Sequence, residues 1–143
     1  MGMKVDEGGA LGAHVAHFGE GSGVAARVFA APARVNLIGE HTDYTGGLVM
    51  PMAIGFRTIA VLSPRRDGRA VFYSRNFDGE FSVDVASVSL DRRGEWSDYP
   101  VGVLWAMVQA GVEVGGFNMT LWGDVPLGAG LSSSASVDRK SVV

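Results

Sequence analysis

The sequence predicts an α+β fold in one domain, and three observations lead to this prediction. Apolar residues in most segments before residue 90 alternate with polar residues or are β-branched, which is typical of strands. Between residues 97 and 111 the apolar spacing becomes that of a helix. Residues 117–125 alternate again and lead into a glycine- and serine-rich segment that we expect to open a second helix. In a chain of 143 residues that is 47% hydrophobic, this order indicates one α+β domain with a single core.

Residues 1–23 are rich in glycine and have no regular apolar period, so we expect them to form a flexible leader. His14, Val15 and Phe18 leave open a short helix within this leader. The segment has acids and glycines where a signal peptide needs an unbroken apolar core, and no later stretch approaches the roughly 20 apolar residues that cross a membrane. The sequence therefore predicts a cytoplasmic protein without a membrane partner.

The extended segments are expected to begin at residue 24. Pro32 divides the first of them into two pieces, because a proline restricts the residue before it to extended conformations. A turn with solvated charges is expected at residues 64–68. Further strands are predicted at residues 47–54, 56–63, 70–75 and 81–85.

Residues 97–111 carry start and stop signals of a helix as well as helical spacing. Ser97 or Asp98 is placed to cap the start, and Pro100 suits the first turn. Gly111 suits the exit from the helix. We therefore predict one helix between the last two strands.

Composition excludes several classes of function. The net charge of −3 and the isoelectric point near 5.5 provide no basic surface for a phosphate backbone, so nucleic acid is not an expected partner. The absence of cysteine excludes disulfides and thiolate metal sites.

The segment "PLGAGLSSSAS", residues 126–136, has the composition of an anion-binding loop. Gly128 and Gly130 allow the backbone to approach a ligand closely, and serines at a helix start offer hydroxyls and free N–H groups. The segment lacks the Gly-Lys-Ser/Thr ending of a Walker loop. Composition alone favours a flexible linker, but an alternating strand directly before the segment favours a phosphate-binding loop.

The segment "RVNLIGEHTDY", residues 34–44, ends an apolar run with several polar side chains in succession. Glu40, His41 and Asp43 could bind a metal or accept hydrogen bonds from a polyhydroxyl ligand. A charged surface turn explains the same letters equally well.

Three segments together carry a family resemblance. "APARVNLIGEHTDYTGGLVMPMAI", residues 31–54, resembles the signature of the galactokinase branch of the GHMP small-molecule kinases. "GDVPLGAGLSSSAS", residues 123–136, resembles the phosphate loop of that family, and "WSDYPVGVLWAM", residues 96–107, resembles the helix between the two motifs. The resemblance covers residues 24–137 and implies the N-terminal part of a GHMP-kinase fold, which is of the ribosomal protein S5 domain 2-like type and is incomplete here.

On the sugar side, the resemblance assigns roles to five residues. Arg34 matches the arginine that stabilises the transferring phosphoryl group. The residues that match the segment binding the sugar hydroxyls are Glu40, His41, Thr42 and Asp43. A galactose has several hydroxyls and no charge, so such a site needs hydrogen-bond acceptors at fixed positions.

On the nucleotide side, the resemblance implies ATP as co-substrate and Mg²⁺ as cofactor. Ser134 corresponds to the Mg²⁺ ligand, and Ser74 lies where some relatives contact the nucleotide. The residues that match the phosphate loop are Gly128, Ala129, Gly130, Leu131, Ser132, Ser133 and Ser134. Phosphoryl transfer depends on positioning and charge neutralisation, which these groups and Arg34 would supply.

Two letters depart from the family pattern. Ala33 replaces the usual glycine before the arginine, and a glycine there could use a backbone conformation closed to alanine. Thr45 replaces the usual asparagine after the tyrosine. The departure at Ala33 puts the backbone path of the first motif in question.

The resemblance places the catalytic aspartate and the second Mg²⁺ ligand of the family after the phosphate loop, so no general base can be assigned in this chain. We expect residues 24–137 to be the truncated N-terminal kinase domain and residues 138–143 to be a non-native tail. The full-length enzyme would be a monomeric galactokinase that forms galactose 1-phosphate, whereas this chain alone would be inactive. Two alternatives stay open: a regulator that binds galactose and ATP without turnover, and a sister kinase for N-acetylgalactosamine or arabinose.

Overall fold

The computed structural model describes residues 5–38 and 46–125, which form one mixed sheet with helices on both faces. Four strands come before the helix at residues 98–109, and one strand follows it. The helices are α1 (Glu7–Phe18), the single turn α2 (Glu20–Gly23) and α3 (Asp98–Gln109), with a short 3₁₀ turn at Val85–Ser87. The strands are β1 (Arg27–Ile38), β2 (Met50–Pro64), β3 (Arg69–Ser74), β4 (Gly79–Asp84) and β5 (Phe117–Gly123). The α+β class predicted from the sequence is confirmed.

The strand order β1-β2-β5-β3-β4 determines which chain segments can meet. The pairs β1–β2, β2–β5 and β3–β4 are antiparallel, and β3–β5 is parallel. Strands β1, β3 and β5 therefore run in the same direction, and their C-terminal ends point toward the same edge of the sheet. We call this edge the carboxyl edge.

Strand β2 is one continuous strand of 15 residues and not the two runs that the sequence suggested. Its pairing with β1 shifts register where Pro32 lies opposite Arg57 and Ala33 lies opposite Ile54. Gly55 lies in this shift, because the extra residues of β2 are accommodated as a bulge, which bends a strand without ending it. A glycine in a strand therefore marked a bulge here and not a break.

The face of the sheet toward α3, called the α3 face, has a purely apolar core. Phe72 of β3 is fully buried and its ring meets that of Phe117 edge to face, with centroids 5.5 Å apart. From α3, Val101 and Leu104 contribute to the same core, as the helical spacing predicts. The alternating residues of β4 also turn their apolar side chains to this face, so the prediction of a half-buried strand is confirmed.

The opposite face, called the α1 face, corrects the expectation of a flexible leader. Within residues 5–23, α1 begins after Asp6, whose carboxylate accepts a hydrogen bond from the N–H of Gly9 at 2.7 Å. Ala10 and His14 of this helix are fully buried against the sheet. The sequence analysis left a short helix open at this place but did not predict its full extent, because its buried side is made of small and polar residues, which leave no apolar period.

Helix α3 confirms the predicted position but not the predicted cap. The Ser97 side chain makes no capping hydrogen bond. The Asp98 carboxylate instead accepts hydrogen bonds from the N–H groups of Arg93 and Gly94, at 2.9 and 2.8 Å, and so orders the turn before the helix. Gly111 follows the helix with a φ of 78°, as expected at an exit. Within the described residues, no helix has the length and apolar character needed to cross a membrane.

Candidate active site

A large open cavity lies at the carboxyl edge of the sheet, between the ends of β3 and β5 and the start of α3. Its volume is about 980 Å³, which is in the range of ligand sites in proteins. Leu121 and Gly123 form its floor, and Ser74 lies beside them at the end of β3. The cavity therefore occupies the position where ligands bind in sheets whose strands end together.

Aromatic side chains form one wall of this cavity. Phe77 and Trp96 lie with nearly parallel rings, 6.4 Å between centroids, and Tyr99 of α3 lines the same space. Phe77 and Tyr99 are about half exposed, so their ring faces are available to a ligand. A planar apolar group of a ligand fits this wall, because aromatic faces stack on planar groups.

Charged side chains surround the mouth of the cavity. Asp91, Arg92, Glu95 and Asp98 all line it. Desolvation opposes ionisation of Asp98, but hydrogen bonds from the N–H groups of Arg93 and Gly94 outweigh it and hold the pKa of Asp98 below its usual value. The mouth is therefore acidic on balance and suits uncharged polar groups of a ligand better than phosphates.

Ser74 is the one residue predicted on the nucleotide side that the structure describes. It is the last residue of β3, it is buried, and it pairs with Leu121 of β5 across the parallel ladder. Its position in the cavity wall is compatible with the predicted contact to a nucleotide.

Arg34 lies in β1, half-buried, opposite Ala53 of β2. Ala33 before it is buried and pairs with Ile54. Among the described residues Asp78 is the only non-glycine residue with positive φ, so Ala33 has a backbone conformation open to any residue. The replacement of glycine by alanine therefore does not disturb the strand that carries Arg34.

Most of the predicted site residues lie outside the described residues. The structure describes β1 up to Ile38 and the chain after β5 up to Val125, and the two predicted motifs follow directly after these points. Thr58 of β2 lies opposite both Ala31 of β1 and Gly123 of β5, so the three strands are in register at this level. The predicted residues outside the described ranges are Glu40, His41, Thr42, Asp43, Gly128, Ala129, Gly130, Leu131, Ser132, Ser133 and Ser134.

Two polar residues at the carboxyl edge were not singled out from the sequence. The Asn76 side chain donates to the carbonyl of Gly123 at 2.7 Å and accepts from its N–H at 2.8 Å. The Asp124 carboxylate accepts from the N–H of Arg57 at 2.7 Å, and the N–H of Asp124 donates to the Arg57 carbonyl at 3.1 Å. A polar residue at a strand end was the only sequence signal for either contact, and it is too common to be specific.

The described part of the chain offers no metal centre of its own. Across residues 5–38 and 46–125, no group of three or more histidine or acidic side chains is arranged to hold a metal ion. The predicted Mg²⁺ ligand Ser134 belongs to the segment after Val125.

Family models match two parts of the chain. Residues 12–64 match the galactokinase galactose-binding signature, which includes β1, β2 and the segment between them. Residues 98–137 match the GHMP kinases N terminal domain, which includes α3, β5 and the predicted phosphate loop. The two matches occur in the order that the sequence motifs predict.

Known proteins with these features are similar over most of the chain. The galactokinase of Pyrococcus furiosus is 49% identical over 110 residues, which are 76% of this chain and 30% of that protein. The crystal structure of Lactococcus lactis galactokinase complexed with galactose superposes with a TM-score of 0.80 at 37% identity, over 92% of this chain and 35% of that one. The Methanococcus jannaschii mevalonate kinase, at 17% identity and a TM-score of 0.68 over 82% of this chain and 38% of that one, shares the fold. The chain spans about 30% of the length of the curated relatives that it matches.

Proposed function

This chain belongs to the galactokinase branch of the GHMP kinase family, and we propose that it supplies the sugar-binding segment and the phosphate loop of an enzyme that phosphorylates galactose. The donor is ATP, whose γ-phosphoryl group passes to the C1 hydroxyl of the sugar. The match of residues 12–64 to the galactose-binding signature supports galactose as the acceptor.

The common direction of β1, β3 and β5 is the observation that carries this proposal. Each of the three strands runs toward the carboxyl edge and ends in, or leads to, residues with a proposed ligand role. Strand β1 leads to residues 40–43, β3 ends at Ser74, and β5 leads to residues 128–134. Adjacent strands are about 4.8 Å apart, so β1 and β5 lie roughly 10 Å apart across β2 at the level of Thr58, which pairs with both Ala31 and Gly123. From this level β1 continues to Ile38, which pairs with Met50.

The cavity accommodates the base and ribose of ATP in this proposal. The aromatic wall of Phe77, Trp96 and Tyr99 suits a planar base, and the acidic mouth suits ribose hydroxyls, which can donate hydrogen bonds to carboxylates. The phosphates then lie toward the chain that follows β5, where the loop residues would bind them through backbone N–H groups. Mg²⁺, with Ser134 as a ligand, would neutralise charge on the transferring group.

A direct test uses a version of the protein extended to the full length of its curated relatives. We expect it to release ADP in a galactose-dependent manner. Binding of both galactose and ATP without galactose-dependent ADP release would contradict the proposal and favour a sensor that binds both ligands without transfer. Comparison of galactose with N-acetylgalactosamine and arabinose distinguishes the sister kinases, because a site built on hydrogen bonds rejects a sugar that cannot form them.

Two substitutions in the extended protein separate the sugar site from the phosphate loop. Asp43→Asn replaces an acceptor of sugar hydroxyls, so we expect catalytic efficiency with galactose to fall at least about tenfold, a factor that corresponds to about 1.4 kcal/mol, with little change in ATP affinity. Ser134→Ala is the matched variant, and it should lower turnover while calorimetric binding of galactose stays the same. Unchanged galactose kinetics in Asp43→Asn, or a larger loss of ATP affinity, would show that residues 40–43 are not the sugar site.

The 143-residue chain alone is expected to show no galactose-dependent phosphoryl transfer. The resemblance places the catalytic aspartate beyond the phosphate loop, and phosphoryl transfer is slow without a group that positions the acceptor hydroxyl. Incubation of the purified chain with galactose and ATP tests this expectation. Product that forms with the native chain and is lost in Arg34→Ala would contradict it.

A further inference from the structure

Two side chains connect the end of β5 to its neighbouring strands on both sides. Asn76 follows β3 and forms two hydrogen bonds with the backbone of Gly123, the last residue of β5. Asp124 is the next residue and forms two hydrogen bonds with the backbone of Arg57 in β2. Both connections lie at the carboxyl edge, within three residues of the start of the predicted phosphate loop at residue 126. We call them the β5 exit contacts.

On the β3 side, hydrogen bonds to β5 continue for two residues after β3 ends. The N–H of Arg75 donates to the carbonyl of Leu121 at 2.9 Å, which continues the parallel ladder after β3 ends. The Asn76 carboxamide then takes the place of the next backbone unit, because its NH₂ and its oxygen bond the carbonyl and the N–H of Gly123. A carboxamide is the side-chain group that presents one donor and one acceptor in this way. The donor and acceptor on Gly123 also determine which way round the carboxamide lies.

The geometry on the β2 side has the same form. Both backbone polar groups of Arg57 are bonded by Asp124, one through the carboxylate and one through the N–H. A Cβ added at Gly123 would lie 3.1 Å from the Thr58 hydroxyl and 3.5 Å from the Arg57 carbonyl, so the strands approach closely at this point. Gly123 and Asp124 therefore have little freedom to move or rotate.

We propose that Asn76 and Asp124 are positioning residues that fix the end of β5 and so the point from which the predicted phosphate loop begins. They do not contact the reacting atoms in this role. They fix the path from β5 to the loop relative to the cavity, whose wall includes Asn76, Gly123 and Val125. A displacement of about 1 Å at a phosphate-binding group can lower a rate by about 100-fold, so fixing this exit has a direct effect on phosphoryl transfer.

Alanine variants in the extended protein test this role by kinetics. This part of the test rests on the proposed kinase function. Asn76→Ala and Asp124→Ala should each lower kcat by about tenfold to 100-fold and weaken ATP binding, with the KM for galactose within about twofold of the wild type. Asp124→Asn keeps an oxygen that accepts from the Arg57 N–H, so it should restore activity to within about threefold of the wild type.

A matched control variant removes a similar contact elsewhere. The Asp84 carboxylate accepts a hydrogen bond from the N–H of Ala86 at 2.9 Å at the end of β4, and it does not line the cavity. Asp84→Ala should therefore leave kcat within about twofold of the wild type. If Asn76→Ala fails to fold, Asn76→Asp replaces it. This variant keeps the acceptor for the Gly123 N–H and loses only the donor. It should lower kcat and ATP affinity in the same way as Asn76→Ala but by a smaller factor.

A second readout does not depend on catalysis. Hydrogen exchange measured by mass spectrometry on the 143-residue chain should become faster in residues 123–136 of Asn76→Ala and Asp124→Ala, but not of Asp84→Ala or Asp124→Asn. A wild type without galactose-dependent turnover would refute the proposed function and leave the exchange result to decide the positioning role. Unchanged exchange in both alanine variants, or a loss of kcat in Asp84→Ala equal to theirs, would overturn the proposal.

Discussion

The α1 face and the α3 face of the sheet are each covered by one helix of 12 residues, but the two cores differ in chemistry. The core cluster of the α3 face consists of apolar side chains around Phe72. The α1 face has apolar residues around Trp122 and, beside them, a buried histidine, His14, with both ring nitrogens hydrogen-bonded. The difference shows that one sheet can bind one helix by apolar packing and another helix by buried hydrogen bonds.

The polar core of the α1 face is a connected network. His14 Nδ1 is 2.9 Å from the Thr120 hydroxyl, and its Nε2 is 2.8 Å from the Ser63 hydroxyl. The Asn118 side chain donates to Ser63 and accepts a hydrogen bond from the Arg65 guanidinium at 2.8 Å. Desolvation by burial, followed by the nearby His17, lowers the pKa of His14, so the ring is neutral at pH 7. The two faces should therefore respond differently to substitution and to pH.

The largest expected effect is loss of volume on the α3 face. Phe72→Ala removes a fully buried ring and leaves a cavity, so we expect the free energy of unfolding of the chain to fall by about 3–5 kcal/mol. Urea unfolding monitored by circular dichroism measures this. Val112→Ala, at a half-exposed residue after α3, is the control and should change the stability by less than about 0.5 kcal/mol. Equal effects of the two variants would mean that the α3 face does not form a core.

Removal of the histidine should have the next largest effect. His14→Ala leaves the Thr120 and Ser63 hydroxyls without their partner in a buried site, and we expect a loss of about 2–3 kcal/mol. The same urea titration provides the value. His17→Ala removes a histidine of the same helix that is not fully buried, and it should cost less than His14→Ala. The reverse order would show that the buried network does not stabilise the α1 face.

Acidification should lower the free energy of unfolding through His14 on the α1 face. Because the pKa of His14 is lowered on folding, the unfolded chain binds a proton at a higher pH than the native chain does. Stability is therefore complete above the unfolded pKa of about 6.5 and is lost as the pH falls below it, with a slope of at most about 1.4 kcal/mol per pH unit for this one group.

The check is a series of unfolding curves between pH 5 and pH 8, with His14→Gln as the matched variant. Glutamine keeps polar atoms in the network and does not titrate, so the slope below pH 6.5 should be smaller in the variant than in the wild type. Phe72→Ala should lower the whole curve and leave its slope unchanged. A slope that is the same in His14→Gln and in the wild type would assign the pH dependence to other groups.

The smallest expected effect compares two glycines of α1. A Cβ at Gly9 would lie 2.8 Å from the Trp122 ring, whereas nothing lies within 4 Å of one at Gly12. Trp122 is held by the Arg75 guanidinium 3.9 Å above its ring, so it cannot easily move away. Gly9→Ala should therefore destabilise the chain by about 1 kcal/mol net, because overpacking outweighs the gain in helix propensity.

Gly12→Ala should stabilise the chain by about 0.8 kcal/mol, since only the propensity gain remains. Thermal unfolding of the two variants in parallel gives the difference with the least error. Stabilisation by both substitutions would mean that α1 does not pack closely on Trp122.

Most of the strands and α3 were predictable because their signals are local. Period-2 alternation marks β4 and β5, helical spacing marks α3, and Gly111 marks its exit. Helix α1 was not predictable in the same way, since its buried positions are Ala10 and His14, which form no apolar period. The polar residues Asn118 and Thr120 of β5 are buried as well, which their side-chain type does not indicate.

The candidate site also combines features with local sequence signals and features that depend on contacts between distant residues. Its two motifs were recognisable from letters alone, because a run such as "GEHTD" and a loop such as "GLSSSAS" are contiguous in sequence. The exit contacts of Asn76 and Asp124 were not recognisable, because their partners lie 47 and 67 residues away in the chain. Neither a side chain nor its neighbours in sequence indicates a partner at such a distance.

The sequence by itself determined the class of fold, the order of the strands and α3 along the chain, and the two motifs that place the chain among the galactokinases. Only the tertiary structure decided that residues 7–18 cover one face of the sheet and that the ends of β3 and β5 lie beside one cavity. The physical reason is the range of the interactions involved. Backbone propensity, capping and turn chemistry act over a few residues, whereas His14 finds its hydroxyl partners 49 and 106 residues away, where only the folded chain brings them together.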